Sequence, residues 1–290
     1  MSKFRIDRLA TLYLFNPLQQ VLGSGNRVRI PILMYHSISD AGENGTHPYY
    51  QTNTSPSVFA EQMKFLHEYG YKVINVPDAI NRLEKKAGES LKKAPGPGSK
   101  YVVITFDDGF QDFYTQAFPV LERYGFTSTV YLPTAFIKNS SRRIFRNKLC
   151  LTWDEVQELH KRGILFGSHT INHPALADLK NEEIENEIKQ SKEEIENTLG
   201  TAVDSFSYPY AFPDENGAFT KQVRNTLEKC GYKNGVCTRI GTLTECINDK
   251  FFLSRIPVNS CDDARLFKAK LEGGYDWLQV PQIVSKKIKG

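Results

Sequence analysis

Two adjacent carboxylates close a short apolar run of the sequence. Asp107 and Asp108 follow the run 101–106 and precede Gly109, whose backbone can adopt the tight turn that this position needs. Two carboxylates so close together repel each other, and both stay charged at low cost only where they share a cation. Because side chains on a strand alternate between its faces, one Asp can hold a metal ion while the other faces a substrate. A turn with an Asp as helix cap explains this segment equally well when it stands alone.

Two of the six histidines have the spacing of metal ligands. His169 and His173 follow another apolar run, 164–167, and on one helical turn they would share a face and reach the same cation. With one Asp they supply two nitrogens and one oxygen, a donor set that suits zinc and leaves positions open for water. A lone histidine is more often structural, so the combination with the Asp pair is what favours a metal site.

Two further segments place reactive groups after apolar runs. His36 follows the run 28–35, where it can act as a general acid. In the segment 207–210, a proline between two tyrosines stiffens the chain, and the backbone N–H of Tyr210 can donate to a developing oxyanion. Each signal is weak by itself, because a structural histidine and an aromatic core turn explain them as well.

The elements that must position these groups alternate along the chain. Apolar runs predict strands over 28–35, 71–76, 101–106, 126–132, 164–167, 206–208 and 253–258. Helical patterns and caps predict helices over 56–69, 79–85, 181–199, 223–230 and 262–271, and another that begins at Thr152 with a capping box. The polar segment 85–100 is expected to be a surface loop. This alternation predicts an α/β fold with a mainly parallel sheet, in which catalytic groups gather where strands end.

Composition narrows the class of protein. The formal net charge of +4 is too small, and too evenly spread, to indicate a nucleic-acid partner. Five cysteines without a CxxC pair argue against a disulfide framework or a structural zinc site, and we expect small buried side chains. No apolar run is long enough to span a membrane.

The first 27 residues are predicted to form an extension that precedes one catalytic domain, 28–290. They lack the apolar segment of a secretory signal, which favours a cytoplasmic or membrane-peripheral location. Their apolar positions can form an amphipathic segment that contacts a membrane surface, although packing against the protein's own body is the commoner outcome.

The four reactive segments together resemble the polysaccharide deacetylases of carbohydrate esterase family 4, which share the NodB homology domain. TFDDG is similar to the first motif of that family and SHTINH to its second. The resemblance implies a distorted (β/α)7-type barrel, in which Asp107 is the catalytic base. It also implies that Asp108, His169 and His173 bind a divalent metal, with zinc as the first expectation.

The third motif departs from the family pattern, F-R-P-P-Y-G. The corresponding FSYPYA has Ser207 in place of the Arg and Ala211 in place of the Gly. The missing Arg normally steadies the catalytic Asp, and Arg255, in the last predicted strand, is the candidate to replace it. We expect Tyr208, Pro209 and Arg255 to belong to the substrate-binding surface.

The early segment LMYHSI is similar to the biofilm poly-N-acetylglucosamine deacetylases, in which such a histidine is catalytic. The resemblance implies that His36 is the general acid and that Trp153 helps to wall the substrate groove.

The predicted function is metal-dependent hydrolysis of N-acetyl groups on an amino-sugar polysaccharide or glycan. One alternative is another amide: an N-formyl or N-acetyl sugar on a lipid carrier, or a cyclic imide. A second is a glycan-binding module without catalysis, which the missing Arg suggests and the complete set of Asp and His residues opposes. A nucleotide-binding protein is excluded, because no Gly-rich phosphate loop occurs.

Overall fold

The structure is a computed structural model that describes residues 5–22, 28–43, 45–88, 100–211, 213, 216–247 and 249–289. Its strands are β1 (Ile32–Tyr35), β2 (Ser37–Ile38), β3 (Asn53–Thr54), β4 (Tyr71–Val73), β5 (Lys100–Phe106), β6 (Thr129–Leu132), β7 (Ile144–Phe145), β8 (Lys148–Leu149), β9 (Leu165–Ser168), β10 (Ser205–Ser207), β11 (Asn234–Ile240) and β12 (Leu253–Pro257). Its α-helices are α1 (Ile6–Ala10), α2 (Asn16–Leu22), α3 (Pro56–Glu68), α4 (Val76–Gly88), α5 (Phe118–Arg123), α6 (Trp153–Lys161), α7 (Asn181–Leu199), α8 (Gly217–Lys229), α9 (Ala264–Leu271) and α10 (Gln279–Lys289).

Seven parallel strands close into a barrel. Their order is β1-β12-β11-β10-β9-β6-β5, and β5 pairs with β1 to complete the ring. An eighth strand, β4, pairs with the first half of β5, while the second half of β5 pairs with β1. The predicted α/β class and the single-domain (β/α)7-type barrel are therefore confirmed.

The strand β5 shows how the barrel is packed. Tyr101 and Val103 belong to one hydrophobic cluster, and the alternate residues Val102 and Ile104 belong to the cluster that includes the surrounding helices. This alternation is the ordinary period of a strand with two buried faces. Asp107 continues the series 101, 103, 105 that faces the interior, so its carboxylate lies at the rim where β5 ends.

Strong local signals gave the correct element boundaries. Helix α7 spans the predicted residues 181–199, and Gly200 ends it in the left-handed conformation (φ 69°). The capping box of α6 is present in both directions, from the side chains of Thr152 and Glu155. These boundaries were readable because each depends only on residues close in sequence.

Other boundaries differ from the prediction. Strand β1 begins at Ile32; before it, Ile30 forms an isolated bridge with Leu243. The predicted loop 85–100 begins later, because α4 continues to Gly88; residues 89–99 lie outside the described part of the chain. Strand β11 was not predicted, since it carries polar residues and a glycine.

The N-terminal segment 5–22 packs against the C-terminal part of the chain. The hydroxyl of Tyr275 donates a 2.7 Å hydrogen bond to Asp7, and the ring of Phe15 stacks on Trp277 with 4.4 Å between centroids. Packing against the protein's own body therefore holds for Asp7 and Phe15, whereas several other apolar side chains of this segment are exposed. None of the helices that the structure describes is both long and apolar enough to cross a membrane.

Candidate active site

The rim of the barrel collects the reactive groups that the sequence singles out. They belong to five barrel strands: His36 follows β1, Asp107 and Asp108 follow β5, His169 follows β9, Ser207 ends β10 and Arg255 lies in the middle of β12. Because all seven strands are parallel, their carboxyl ends meet at one edge, and residues far apart in sequence become neighbours.

Asp108, His169 and His173 form a buried cluster with one ligand atom each. Their three ligand atoms lie within 4.8 Å of one another. The Oδ1 atom of Asp108 is 3.3 Å from Nε2 of His173 and 3.6 Å from Nε2 of His169. The two Nε2 atoms are 3.1 Å apart. Converging lone pairs at this separation are the arrangement of a three-ligand metal site with open positions.

Two features of the chain itself fit a cation at this cluster. The Oδ1 atom of Asp108 is buried and has no hydrogen-bond partner among the described residues. Nδ1 of His169 lies 2.7 Å from the carbonyl oxygen of Ser207, to which it donates, so that Nε2 carries the lone pair. Burial lowers the pKa of His169 to about 4, which keeps the ring neutral. The residues present therefore fit a divalent metal.

The loop 169–173 is not the helical turn that the spacing suggested. Thr170 and His173 both have left-handed backbones, with φ of 68° and 56°. The carboxylate of Glu187, on α7, accepts the backbone N–H groups of Ile171 and Asn172 at 2.8 and 2.9 Å. The two histidines therefore converge through a tight loop that a buried glutamate holds, and such strained backbones are typical of functional sites.

Glu187 was missed by the sequence analysis. It lies on the apolar face of α7, between Ile184 and Ile188, and it is only 7% exposed. A carboxylate on the buried face of an amphipathic helix needs a partner, and this was the available signal. The identity of the partner, a loop that precedes the helix, was not readable from periodicity.

Asp107 is held by a buried arginine. Arg255 donates two hydrogen bonds of 2.7 Å, one to each carboxylate oxygen, and its side chain is completely buried. It also donates to the hydroxyl of Ser207 at 3.1 Å. Burial alone would raise the pKa of Asp107, but the Arg255 guanidinium outweighs it and holds that pKa well below its usual range. Asp107 is therefore an oriented carboxylate that stays ionised.

The two carboxylates do not diverge to opposite faces, as strand alternation had suggested. Strand β5 ends at Phe106, and Asp108 has a left-handed backbone (φ 72°), which turns its side chain back. Nε2 of His169 is 4.0 Å from Asp107 and 3.6 Å from Asp108, so both carboxylates face it. Nε2 of His36 is also 4.0 Å from Oδ2 of Asp107. Asp107 is thus close both to the cluster of His169, His173 and Asp108 and to His36.

Comparison with known proteins shows the family to which this chain belongs. Residues 94–235 match the family model described as polysaccharide deacetylase. YxkH of Bacillus subtilis (strain 168), which is classed with the polysaccharide deacetylases, is 30% identical over 244 residues, 84% of this chain and 76% of that protein. The chain belongs to the polysaccharide deacetylase family. The resemblance seen in the sequence is confirmed.

Other members of the polysaccharide deacetylase family share the barrel. The poly-β-1,6-N-acetyl-D-glucosamine N-deacetylase of Staphylococcus aureus is 24% identical over 221 residues, 73% of this chain and 69% of that protein. The structure of the Streptococcus pyogenes deacetylase PplD in complex with acetate has a TM-score of 0.66 and 25% identity, over 87% of this chain and 98% of that one. IcaB from Ammonifex degensii has the same TM-score at 20% identity, over 84% and 97%, and shows the fold alone.

In this deacetylase the two tyrosines of the third motif, FSYPYA, lie in different environments. Tyr210 is half-exposed, and its ring lies 4.7 Å from that of His173, at the edge of the metal-ligand cluster. Tyr208 is fully buried and stacks on Phe252, so its side chain belongs to the core and not to a surface that substrate can reach. Pro209 is buried between the two tyrosines, where it fixes the loop.

Trp153, which the resemblance places at the groove, is the first residue of α6. It is partly buried and packs against the main hydrophobic cluster. No hydrogen bond or ring contact joins Trp153 to the metal-ligand cluster within the described residues. The structure therefore brings together Asp107, Asp108, His36, His169, His173, Arg255 and Tyr210, and it leaves Trp153 and the Tyr208 ring in packing positions.

A hairpin that the sequence analysis did not predict covers the deacetylase site. Strands β7 and β8 pair over Ile144–Leu149. The ring of Phe145 lies 5.2 Å from that of His173, and a guanidinium nitrogen of Arg146 lies 3.6 Å from Oδ2 of Asp108. Two-residue strands are too short to show a period in the sequence. The only sequence signal in this segment is its high content of arginine and lysine.

Proposed function

We propose that this protein removes N-acetyl groups from an amino-sugar polysaccharide or glycan by metal-dependent hydrolysis, which releases acetate and a free amine. The observation that carries the proposal is the ionised Asp107, which lies beside a buried cluster of two imidazoles and one carboxylate. Membership of the polysaccharide deacetylase family supports the carbohydrate substrate. The N-acetyl-D-glucosamine in the names of relatives supports the choice of sugar.

Asp108, His169 and His173 would hold the ion, and two nitrogens with one oxygen favour zinc among the divalent metals. When bound, the ion would polarise the acetamide carbonyl and make an adjacent water more acidic. The remaining steps belong to the side chains around the cluster.

Asp107 takes the proton of the attacking water. Its low pKa makes it a modest base, and its efficiency therefore depends on orientation, which the two hydrogen bonds from Arg255 provide. The backbone N–H of Tyr210 donates to the oxyanion as the carbonyl carbon becomes tetrahedral.

His36 protonates the leaving amine. It is 16% exposed, so it can exchange protons with solvent between turnovers, and its Nε2 atom lies 4.0 Å from Oδ2 of Asp107, so both groups can reach the atoms of one acetamide. A base and an acid that both reach one acetamide are what its hydrolysis requires.

We assign catalysis to residues 28–290 and treat 1–27 as an extension. No membrane contact is proposed for the extension, because its described residues, 5–22, pack through Asp7 and Phe15 against the catalytic unit.

The test is metal content and acetate release with N-acetylglucosamine oligomers. His169→Ala should lose both the metal and the activity, whereas Asp107→Asn should keep the metal and lose activity. His67→Ala, an exposed position on α3, is the matched control and should behave as wild type. Metal without acetate release would direct the search to other amides, such as N-formyl sugars or cyclic imides. A wild-type protein without metal would contradict the proposal and favour a glycan-binding module.

A further inference from the structure

The hairpin β7–β8 is rigidly attached to the catalytic rim. Its turn residues, Arg146 and Asn147, have φ of 49° and 61°, the two positive values of a tight two-residue hairpin turn. At its base, the backbone N–H of Cys150 donates to Arg143 at 2.9 Å, and that of Leu151 donates to Gly109 at 2.8 Å. The hairpin is therefore tied to the same loop that carries Asp107 and Asp108.

The segment 138–148 has five cationic residues and no acidic one. Lys138 pairs with Glu194 at 2.9 Å, and Arg142 pairs with Glu155 at 2.7 Å. Lys148 donates to the hydroxyl of Ser37 at 2.8 Å, next to His36. The remaining two are Arg143, which is exposed, and Arg146, which points to the site.

Arg146 has an unusual environment for a surface arginine. Its guanidinium carbon lies 5.1 Å from the ring centroids of both Phe145 and Tyr210. Its nearest carboxylate oxygen, Oδ2 of Asp108, is 3.6 Å away, and no hydrogen bond to Arg146 occurs within the described residues. The side chain is 39% exposed. Contact with two aromatic rings limits its motion while its N–H donors remain available.

A guanidinium held in this way suits one class of ligand. Its planar set of donors matches the paired oxygens of a carboxylate or a phosphate, and stacking on aromatic rings fixes the plane. The same two rings, Phe145 and Tyr210, lie 5.2 and 4.7 Å from that of His173, so a group next to an acetamide at the metal-ligand cluster lies within reach of Arg146. Lys148, on the second strand of the hairpin, adds a positive charge on the side of His36.

We propose that Arg146 binds an anionic group, a carboxylate or a phosphate, that the substrate carries next to the acetylated sugar. The inference rests on the proposed deacetylase function and narrows its substrate to acidic glycans. A neutral polymer would offer the unbonded donors of Arg146 only uncharged hydroxyl or carbonyl oxygens, without the charged oxygen pair that matches a guanidinium.

The experiment compares two substrates with three variants. The substrates are neutral N-acetylglucosamine oligomers and the same oligomers with a terminal phosphate or a lactyl carboxylate. Arg146→Gln should lower the ratio of kcat/KM for anionic over neutral substrate by ~10-fold or more, mainly through KM, because charge-assisted hydrogen bonds are lost. Arg146→Lys keeps the charge without the planar donor set and should fall between. Arg143→Gln removes the same charge three residues away and should leave the ratio unchanged.

Three results would overturn the proposal. Equal losses on both substrates, together with weaker metal binding in equilibrium dialysis, would mean that Arg146 acts only through Asp108. An unchanged ratio would remove Arg146 from recognition. Weaker inhibition by acetate with an unchanged ratio would assign Arg146 to the product.

A binding measurement separates this inference from the proposed function. Titration calorimetry of the phosphorylated oligomer does not require turnover, and Arg146→Gln should weaken its binding whether or not acetate is released. If no acetate is released but this binding difference is found, the deacetylase proposal fails and the anion site stands. If acetate is released without any binding difference, the anion site fails and the deacetylase stands.

Discussion

Arg255 and Asp107, 148 residues apart in sequence, are joined by two parallel hydrogen bonds of 2.7 Å inside the rim of the barrel. The arginine comes from β12, whereas the family pattern places one in the third motif, where this chain has Ser207. The hydroxyl of Ser207 accepts a hydrogen bond from Arg255 at 3.1 Å. This chain thus has a small residue, Ser207, on β10, and the arginine that reaches Asp107 comes from β12, two strands along the sheet from β10.

The first prediction concerns this pair. Arg255→Lys should reduce kcat by ~100-fold, because a single ammonium cannot hold both oxygens of Asp107 and small misplacements of a catalytic group are costly. Lysine keeps the charge but makes fewer hydrogen bonds to the buried carboxylate, so the unfolding midpoint in urea should also fall. Arg239→Lys, on β11, is the control for the general loss of an arginine, and its kcat should remain near that of wild type. A variant Arg255→Lys with wild-type kcat would contradict the positioning role.

Much of the site was predictable because its residues lie at strand ends. A parallel barrel gathers those ends at one rim, so an apolar run followed by Asp or His already indicated Asp107 and His169, whereas Arg255 was indicated by the Arg that the third motif lacks. The fold class followed from alternation, and α7 from its own apolar period and Gly200.

The rest depends on contacts that no local pattern encodes. The left-handed backbone of Asp108 depends on the turn into the next loop, and the conformation of 169–173 depends on Glu187 from a later helix. The hairpin turn at Arg146 is too short to show a period. Tyr208 and Tyr210 are two residues apart in one motif, yet Tyr208 is buried in the core and Tyr210 is half-exposed at the rim.

The second prediction concerns Glu187. Glu187→Ala removes the acceptor of two backbone N–H groups and of the Asn172 side chain, and the loop that carries His169 and His173 should loosen. Zinc affinity should fall ~10–100-fold, the usual effect of losing a group that orients metal ligands. Equilibrium dialysis against buffered zinc measures it directly.

Glu193→Ala is the matched control for Glu187→Ala, because it lies on the same helix with its side chain exposed and paired to Lys189. It should bind zinc as wild type does. If both variants bound zinc equally well, the loop would not need Glu187.

The third prediction concerns the pH dependence of stability. Burial by itself would raise the pKa of Glu155, but hydrogen bonds from Arg142 and from the backbone N–H of Thr152 lower it below its usual value of 4.5. The folded-state pKa is therefore lower than the unfolded one. The stabilisation is complete above pH 4.5 and is lost as pH falls through the folded-state pKa.

Glu155→Gln tests this prediction, because glutamine can still complete the capping box while the charge is lost. At pH 7 it should be less stable by ~1 kcal/mol, a value reduced for the partial solvation of the pair. The difference from wild type should shrink when urea unfolding is repeated near pH 3.5. A difference that is the same at both pH values would show that the charge of Glu155 does not contribute.

The last prediction separates the acid from the base. His36→Gln should lower the rate of N-acetyl hydrolysis by ~10²–10⁴-fold, because an amine is a poor leaving group unless it is protonated. An aryl acetate has a leaving group that departs as a stable anion, so the same variant should hydrolyse it at close to the wild-type rate. Asp107→Asn should lose both activities, because each requires an activated water. Metal content should be unchanged in both variants, since neither residue is a ligand. Equal losses of His36→Gln on the two substrates would mean that His36 acts before the leaving group departs, and the general acid would then have to be sought among other side chains at the rim.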